Sequence, residues 1–405
     1  MKQLGIGYGI VLAGTFVLTI LFRLSWIACA VVGVVGCILV PFWLRMGNKK
    51  KEAVEQYDEM AVYMELLLCS FKRVGHLKLA LLDCLSAFSG DSRMGSAIAG
   101  AIHVLESGEC GGQETIADAS LKQISNIYNC RRMELAHRFL CRADYMGNDA
   151  AGALDILLAD FEMWKRRFVL YQKKKQSEGR ECIMSIVLAL LLCLVSRVLI
   201  PANFLPDIEK SLIYQLSTTV VICALLGVYT VILFSVGKLE WERTGEKKLM
   251  KEVEQEFPYW LLAVTVYLKN DSLYHALQQS REAVSGRFQV EVDRLIDAVY
   301  QKPASLEPFM DFFKGLPLPE LQTGMKLLYS VNTNGYQDTR KQIQFLVEQS
   351  HVVMNQSENQ YFRMKLAGFR MLRQIPMMLA GGKAVVDVLT FFMMMGSQIP
   401  FLNGG

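Results

Sequence analysis

The chain lacks the short motifs that mark common catalytic and metal sites. It has no H-E-x-x-H and no C-x-x-C, either of which would set metal ligands at a fixed spacing, and no G-x-S-x-G nucleophile turn. Its nearest approach to a phosphate loop, Gly381-Gly382-Lys383, lacks the first glycine and the Ser or Thr after the lysine. The five histidines are scattered along the chain. These absences predict a protein that is not an enzyme and has no cofactor or metal.

Proline and charge are also scarce. The 405 residues include 10 prolines and no low-complexity stretch, so long disordered linkers are not expected. Charged residues make up 20% of the chain, below the ~25% typical of globular domains, while 52% is hydrophobic. The net charge of +4 is small, and Lys and Arg cluster beside apolar runs, which argues against a nucleic-acid partner. The ten cysteines are expected to be free thiols, mostly buried.

Apolar sequence in long runs is abundant. Five runs stand out, at residues 4–22, 26–44, 182–200, 211–236 and 375–396. A helix of about 20 apolar residues crosses the ~30 Å hydrocarbon layer, so these runs predict two membrane hairpins and a closing span. A secretory signal peptide is the alternative for the first run. That run is longer than the ~7–15 residues of a signal core, and a second run follows at once.

The distribution of Lys and Arg predicts the topology. Basic clusters flank the central pair of runs. The link between the runs contains only one Lys, together with the acidic residues Asp207 and Glu209. An excess of Lys and Arg marks cytoplasmic segments. We therefore predict a multi-pass protein of the cytoplasmic membrane, with the N-terminus and both large polar segments in the cytoplasm and Arg23 at an outer tip.

The polar segments are predicted to be helical, because apolar residues recur at helical spacing and no window shows sustained strand alternation. The fold class expected is an all-α integral membrane protein with two homologous cytoplasmic helical bundles and about five transmembrane helices. The predicted segments are a hairpin at 1–45, a first bundle at 46–180, a central hairpin at 181–236, a second bundle at 237–374, and a C-terminal span with a short external tail at 375–405.

The two bundles are predicted to be an internal duplication. Three apolar positions recur at the same spacing: Leu77, Ala80 and Leu81, and then Leu273, Ala276 and Leu277. In the first bundle a helix breaks at Gly75, and a later helix at 131–146 ends at Gly147; Gly335 matches Gly147 in the second. A long amphipathic helix follows each glycine turn. The shared order of break, short helix, glycine turn and long helix is a stronger signal than any single match.

Lys383 and Asp387 form an unusual charged pair within the last apolar run. They stand four residues apart, hence on one helix face, roughly 12 and 18 Å along the span. A charge at mid-bilayer costs at least ~2.5–3.5 kcal/mol. Three interpretations stay open: a self-neutralised pair facing other helices, a segment only partly inserted, and a proton or ion path. By contrast, Asp155 and Asp160 are expected on a solvated face, and Arg197 is expected to reach outward to water.

One stretch of the second bundle resembles a known family. It reads EQEFPYWLLAVTVYLKNDSLYHALQQS, and its matching residues are Glu254, Pro258, Leu261, Leu262, Leu273, Ala276 and Leu277. With the later glycine turn into a long helix, this pattern resembles the platform domain of the type II secretion system F proteins, which the type IV and tight-adherence (Tad/Flp) pilus machines share. The G-E-x-x-G that the family carries before the long helix is GNDAAG in the first bundle and NTNGYQD in the second. The N-terminal hairpin resembles the tight-adherence members.

The resemblance implies an inner-membrane scaffold at the base of a pilus or pseudopilus. A cytoplasmic hexameric ATPase would dock on the bundles and drive pilin or pseudopilin subunits out of the bilayer. Other inner-membrane assembly proteins and further copies of the chain would complete the machine. Gly147, Gly335 and Pro258 are the expected coupling positions. Two other classes stay open: a transporter or pore subunit that uses Lys383 and Asp387, and a membrane receptor, for which the ten-residue external link is small.

Overall fold

The computed structural model describes residues 2–108, 115–146, 151–198, 200–238, 249–269, 271–316, 318–333 and 336–398. Within these ranges the chain is helical and no residue is in a β-strand. The helices before the central link are α1 (Lys2–Phe22), α2 (Trp26–Val74), α3 (Leu77–Ser86), α4 (Arg93–Ser107), α5 (Ile116–Tyr128), α6 (Arg131–Met146) and α7 (Ala151–Val198). Those that follow are α8 (Leu205–Lys210), α9 (Leu212–Gly237), α10 (Leu249–Leu268), α11 (Leu273–Ser280), α12 (Gly286–Gln301), α13 (Glu307–Asp311), α14 (Pro319–Thr333) and α15 (Tyr336–Gln398). The predicted all-α class is confirmed.

Helices begin and end where the local sequence favours it. α2 ends just before Gly75, whose backbone φ of +75° lies in the left-handed region that glycine adopts without steric cost. The predicted break at this residue is confirmed. Ser92, Thr115 and Ser272 each accept a hydrogen bond from the backbone N–H of the third residue of α4, α5 and α11. Each bond satisfies a donor that has no partner within the first helical turn.

Five helices in the described residues are long and apolar enough to cross a membrane: Leu4–Phe22, Trp26–Val74, Ala151–Val198, Leu212–Gly237 and Phe345–Gly396. Each contains all or nearly all of one predicted run. Many of their apolar side chains are exposed, among them Ile10 at 68%, Ile38 at 67% and Leu216 at 62%. Such faces suit a lipid environment, and their insertion in a bilayer stays a prediction.

The chain forms two compact units. The first, named here the apolar unit, comprises Met1–Val54, Leu170–Leu239 and Phe362–Gly405, and it contains all the apolar runs. The second, named the bundle unit, comprises Glu55–Val169 and Glu240–Tyr361. Helices from both predicted bundles therefore belong to one unit. Their homology stays a prediction.

Three helices pass through the predicted segment boundaries. α2, α7 and α15 contain 49, 48 and 63 residues and are continuous at residues 45–46, 180–181 and 374–375. The sequence changes between apolar and amphipathic at these points. Gly47, Gly179 and Pro376 lie within two residues of these points, and none of them ends its helix. Helix propagation costs little once a helix exists, so the change of composition does not end it.

The recurring apolar positions all belong to the core of the bundle unit. Each is at most 4% exposed: Leu77, Ala80, Leu81, Leu273, Ala276 and Leu277. Trp260 of α10 is fully buried, and its ring centre lies 5.2 Å from that of Phe312 and 5.8 Å from that of Phe288. This aromatic core holds α10, α12 and the segment after α13 together.

Candidate coupling site

The two glycine turns predicted as coupling positions, Gly147 and Gly335, lie outside the described residues. The third predicted position, Pro258, is buried in the middle of α10. Proline has no backbone N–H, so α10 lacks one helical hydrogen bond there. The preceding residue, Phe257, packs on α14 so closely that a Cβ added at Gly324 would lie 2.7 Å from its Cζ. Pro258 therefore directly follows a residue that is in tight contact with α14.

Lys383 and Asp387 face the interior of the apolar unit. Lys383 Nζ donates to Asp387 Oδ2 at 2.6 Å, and each side chain is 1% exposed. Ser196 Oγ of α7 donates to the same oxygen at 3.2 Å, and Lys383 Nζ lies 4.4 Å from the ring centre of Tyr214 in α9. The other oxygen, Oδ1, has no hydrogen-bond partner among the described residues. This geometry is the one expected for a self-neutralised pair facing other helices.

A second buried ion cluster, named here the Arg132 cluster, lies in the bundle unit. Arg132 Nε on α6 donates to Asp160 Oδ2 on α7 at 2.7 Å, and Nη2 donates to Glu358 Oε1 on α15 at 2.9 Å. Nη1 donates to the hydroxyl of Tyr259 on α10 at 3.1 Å. The planar guanidinium offers several donors in a fixed geometry, so one side chain ties α6 to three other helices.

Arg167, Asn355 and His351 complete the cluster. Arg167 Nε donates to Glu358 Oε2 at 2.7 Å, and its Nη1 donates to Asn355 Oδ1 at 3.0 Å. His351 Nδ1 lies 3.9 Å from Asp160 Oδ1. Burial lowers the pKa of His351 although Asp160 opposes the shift, so this imidazole is neutral at pH 7. The two guanidinium groups and two carboxylates therefore balance.

The expectation that Asp155 and Asp160 share a solvated face is wrong. Asp155 is exposed and pairs with Lys72 at 2.5 Å, but Asp160 is 2% exposed. Five residues on a helix correspond to a rotation of about 140°, which places the two carboxylates on different faces. Asp160 instead lies in the apolar stripe formed by Leu157 and Trp164. A carboxylate within an apolar stripe is the sequence signal that could have identified the cluster.

Neither cluster brings together the side chains of a metal centre among the described residues. Within the described residues, no group of three or more His, Cys, Asp or Glu side chains is placed to hold a metal ion. No family model, curated protein or solved structure matches this chain. The contacts of both clusters join helices that are distant in sequence.

The contacts between α7 and α15 follow one register. In the bundle unit they include Arg167 with Glu358 and with Asn355, and in the apolar unit they include Cys182 Sγ with Phe369 O, Ser185 Oγ with Arg373 O, and Ser196 with Asp387. The partners are 187 to 191 residues apart in every case. Within each unit, a nearly constant separation requires that α7 and α15 run parallel there. The sequence did not predict this pairing.

A third cluster joins the two hairpins of the apolar unit. Glu209 of α8 is 5% exposed and pairs with both Arg23 and Arg197. Arg197 also donates to the backbone carbonyl of Leu21. The expectation that Arg197 reaches outward to water is therefore wrong, because its side chain is only 17% exposed and is held by Glu209. The turn after α1 is fixed to the link before α9.

Proposed function

We propose that this chain is the inner-membrane platform protein of a type II secretion or tight-adherence-like pilus assembly machine. It couples a cytoplasmic hexameric ATPase to the extrusion of pilin or pseudopilin subunits and catalyses no reaction itself. One observation carries the proposal: α7 and α15 are single helices, and each contains residues of both the bundle unit and the apolar unit.

Continuous helices can transmit displacement because they contain no loop that would absorb it. From Asp160 to Ser196, α7 extends about 54 Å, and from Glu358 to Asp387, α15 extends about 44 Å. The Arg132 cluster fixes both helices to α6 and α10, and Ser196 fixes α7 to α15 in the apolar unit. A force that the motor applies to α6 or α10 therefore moves both long helices.

Two tryptophans support the placement of the apolar unit in a bilayer. Trp26 and Trp43 stand at the two ends of the apolar run of α2, about 26 Å apart along the helix. This distance is close to the ~30 Å of the hydrocarbon layer, and tryptophan is enriched at both membrane interfaces. Trp26 is 81% exposed, while Trp43 Nε1 donates to Thr230 Oγ1 at 2.9 Å.

The motor contact can be tested by photo-crosslinking in intact cells. A photoreactive amino acid is placed at Tyr145 or Tyr300, which are 91% and 72% exposed in the bundle unit, and at Trp26 as a matched exposed control in the apolar unit. Mass spectrometry of the crosslinked products then identifies the neighbours. We expect a secretion ATPase at one or both bundle positions and none at Trp26.

The contrary outcome combines two results. Crosslinking would recover no ATPase at a wider set of exposed bundle positions, and deletion of the chain would leave pili and protein secretion normal. Together they would remove the platform function. An ATPase recovered equally at Trp26 would show that the crosslinks are not specific for the bundle unit.

A transporter or pore subunit is the second candidate, and the Lys383–Asp387 pair favours it because Asp387 Oδ1 has no partner among the described residues. The exchange Lys383→Asp with Asp387→Lys separates the two functions. A platform retains assembly after the exchange, since the pair is still neutral. If ion flux in proteoliposomes is present in the native protein and vanishes after the exchange, the transporter is supported instead.

A further inference from the structure

A belt of basic side chains lies at one end of the apolar unit, on α2, α7 and α15 and at Lys238 directly after α9. Contacts within that unit place these residues at one level. Lys175 Nζ donates to the carbonyl of Lys238 at 2.5 Å, and Arg373 Nη1 donates to Glu181 Oε2 at 2.5 Å. A Cβ added at Gly237 would lie 3.9 Å from the carbonyl of Met46. These contacts join α2, α7, α15 and the end of α9 close to where their apolar runs end.

Several cations of the belt are exposed and unpaired among the described residues. Seven exposed cations make no ion pair or side-chain hydrogen bond with the described residues: Arg45, Lys49, Lys173, Lys174, Arg180, Arg363 and Arg370. Among the described residues near the belt, only two carboxylates, those of Glu52 and Glu178, are likewise unpaired. At the other end of the apolar runs, Arg23 and Arg197 are both occupied by Glu209. The unit therefore has a surplus of positive charge at one end.

Three arginines of the belt lie closest to the apolar runs. Arg45 follows the run of α2 directly, and Arg180 and Arg370 precede the runs of α7 and α15 by two and five residues. With the rise per residue of an α-helix, Arg45, Arg180 and Arg370 lie about 2, 3 and 8 Å along the helix axis from the ends of their runs. The headgroup layer of a bilayer is about 5–8 Å thick on each side. In a membrane, all three guanidinium groups would lie among lipid phosphates.

We propose that this belt binds the headgroups of anionic phospholipids, with Arg45, Arg180 and Arg370 as the first contacts. The inference rests on the membrane insertion included in the proposed function, and not on the motor or its cargo. Guanidinium groups bind phosphate oxygens through two parallel hydrogen bonds. Attraction to an anionic leaflet strengthens binding by about fivefold for each Lys or Arg at the surface.

The test compares two full-length variants with the same change in charge. The belt variant carries Arg45→Gln, Arg180→Gln and Arg370→Gln. The control carries Arg93→Gln, Arg287→Gln and Lys326→Gln, three exposed cations of the bundle unit. Short-chain phosphatidylglycerol or phosphatidylcholine is titrated into the detergent-solubilised protein, and the rise in Tm gives the half-saturating lipid concentration.

Phosphatidylglycerol should raise the Tm of the native protein and of the control at lower concentration than phosphatidylcholine does. The belt variant should need a phosphatidylglycerol concentration roughly 100-fold higher, and phosphatidylcholine should act on all three proteins alike. The proposal would be overturned if the two lipids raised the Tm of the native protein equally. It would also be overturned if both variants needed the same increase in phosphatidylglycerol concentration. An equal Tm rise with glycerol phosphate would overturn it as well, since an acyl chain would then be unnecessary. None of these outcomes bears on the crosslinks to the ATPase.

Discussion

Arg132 Nε donates a hydrogen bond to Asp160 Oδ2 at 2.7 Å, and neither side chain is more than 5% exposed. The same guanidinium also binds Glu358 on α15. Two carboxylates from the two long helices thus share one buried cation. A buried charge that loses its partner is strongly destabilising, because water cannot replace the lost interaction. Loss of this contact is therefore expected to destabilise the bundle unit.

Arg132→Met should lower the free energy of unfolding by about 3–5 kcal/mol, since it leaves Asp160 and Glu358 without the cation that both contact. Thermal or denaturant unfolding of the solubilised protein measures the loss. Arg166→Met is the control, because Arg166 is 77% exposed and pairs with Glu162 at 3.6 Å; it should cost less than ~1 kcal/mol. Equal effects of the two substitutions would contradict the importance of the cluster.

The coupling of α7 to α15 can be measured by double-mutant cycles. Arg167 and Glu358 form a pair with side chains 11% and 10% exposed, while Arg373 and Glu181 join the same two helices with side chains 47% and 50% exposed. Substitution by Ala should give an interaction free energy of about 1–3 kcal/mol for the buried pair. The exposed pair should give less than ~1 kcal/mol because water screens it. A larger value for the exposed pair would contradict the burial described for Arg167.

Local signals predicted where many of the helices lie. The bounds of α6 and the end of α2 at Gly75 follow from turn residues, which act over a few positions. The apolar runs follow from composition. α2 and α15 are continuous at the segment boundaries 45–46 and 374–375, because a change from apolar to amphipathic sequence marks a change of environment and does not by itself end a helix. Composition and helix termination are separate signals.

The candidate site was predictable only where its members are close in sequence. The spacing of Lys383 and Asp387 indicated their pairing, because a helix brings positions four apart together. Ser196 and Tyr214, which enclose that pair, belong to α7 and α9. Arg132 and Glu358 are separated by 226 residues. No local pattern specifies such contacts, which depend on how the helices pack.

Acidic pH should destabilise the bundle unit through His137. Burial lowers the pKa of His137 to about 3, and its ring contacts the Tyr63 hydroxyl at 3.0 Å and Ser125 Oγ at 2.8 Å. The unfolded chain binds a proton near pH 6.5 and the folded chain does not. Stability contributed by the neutral ring is therefore complete above about pH 6.5 and is lost progressively as the pH falls toward 3.

His137→Gln should reduce the slope of unfolding free energy against pH between about 7 and 5, because the titrating group is removed. Urea unfolding at several pH values measures that slope. His103, which is exposed, provides the control, and His103→Gln should leave the slope unchanged. A residual slope is expected in the His137 variant, since the pKa of His351 is lowered by burial as well. An unchanged slope in that variant would refute the assignment.

The pair formed by Lys383 and Asp387 should behave as one unit. Asp387→Asn leaves Lys383 buried as an uncompensated charge, and Lys383→Met does the same to Asp387, so each substitution should cost about 3–5 kcal/mol. Removing both charges leaves no buried ion, and the double variant should therefore lose much less stability than the two single losses added together. The Tm values of the four proteins in one detergent measure this difference.

Lys314 and Asp311, a pair with side chains 77% and 49% exposed, provide the control cycle. They should show almost additive effects because water already solvates both ions. Additive losses at Lys383 and Asp387 would mean that each charge is stabilised by something other than its partner, and would contradict the self-neutralised pair.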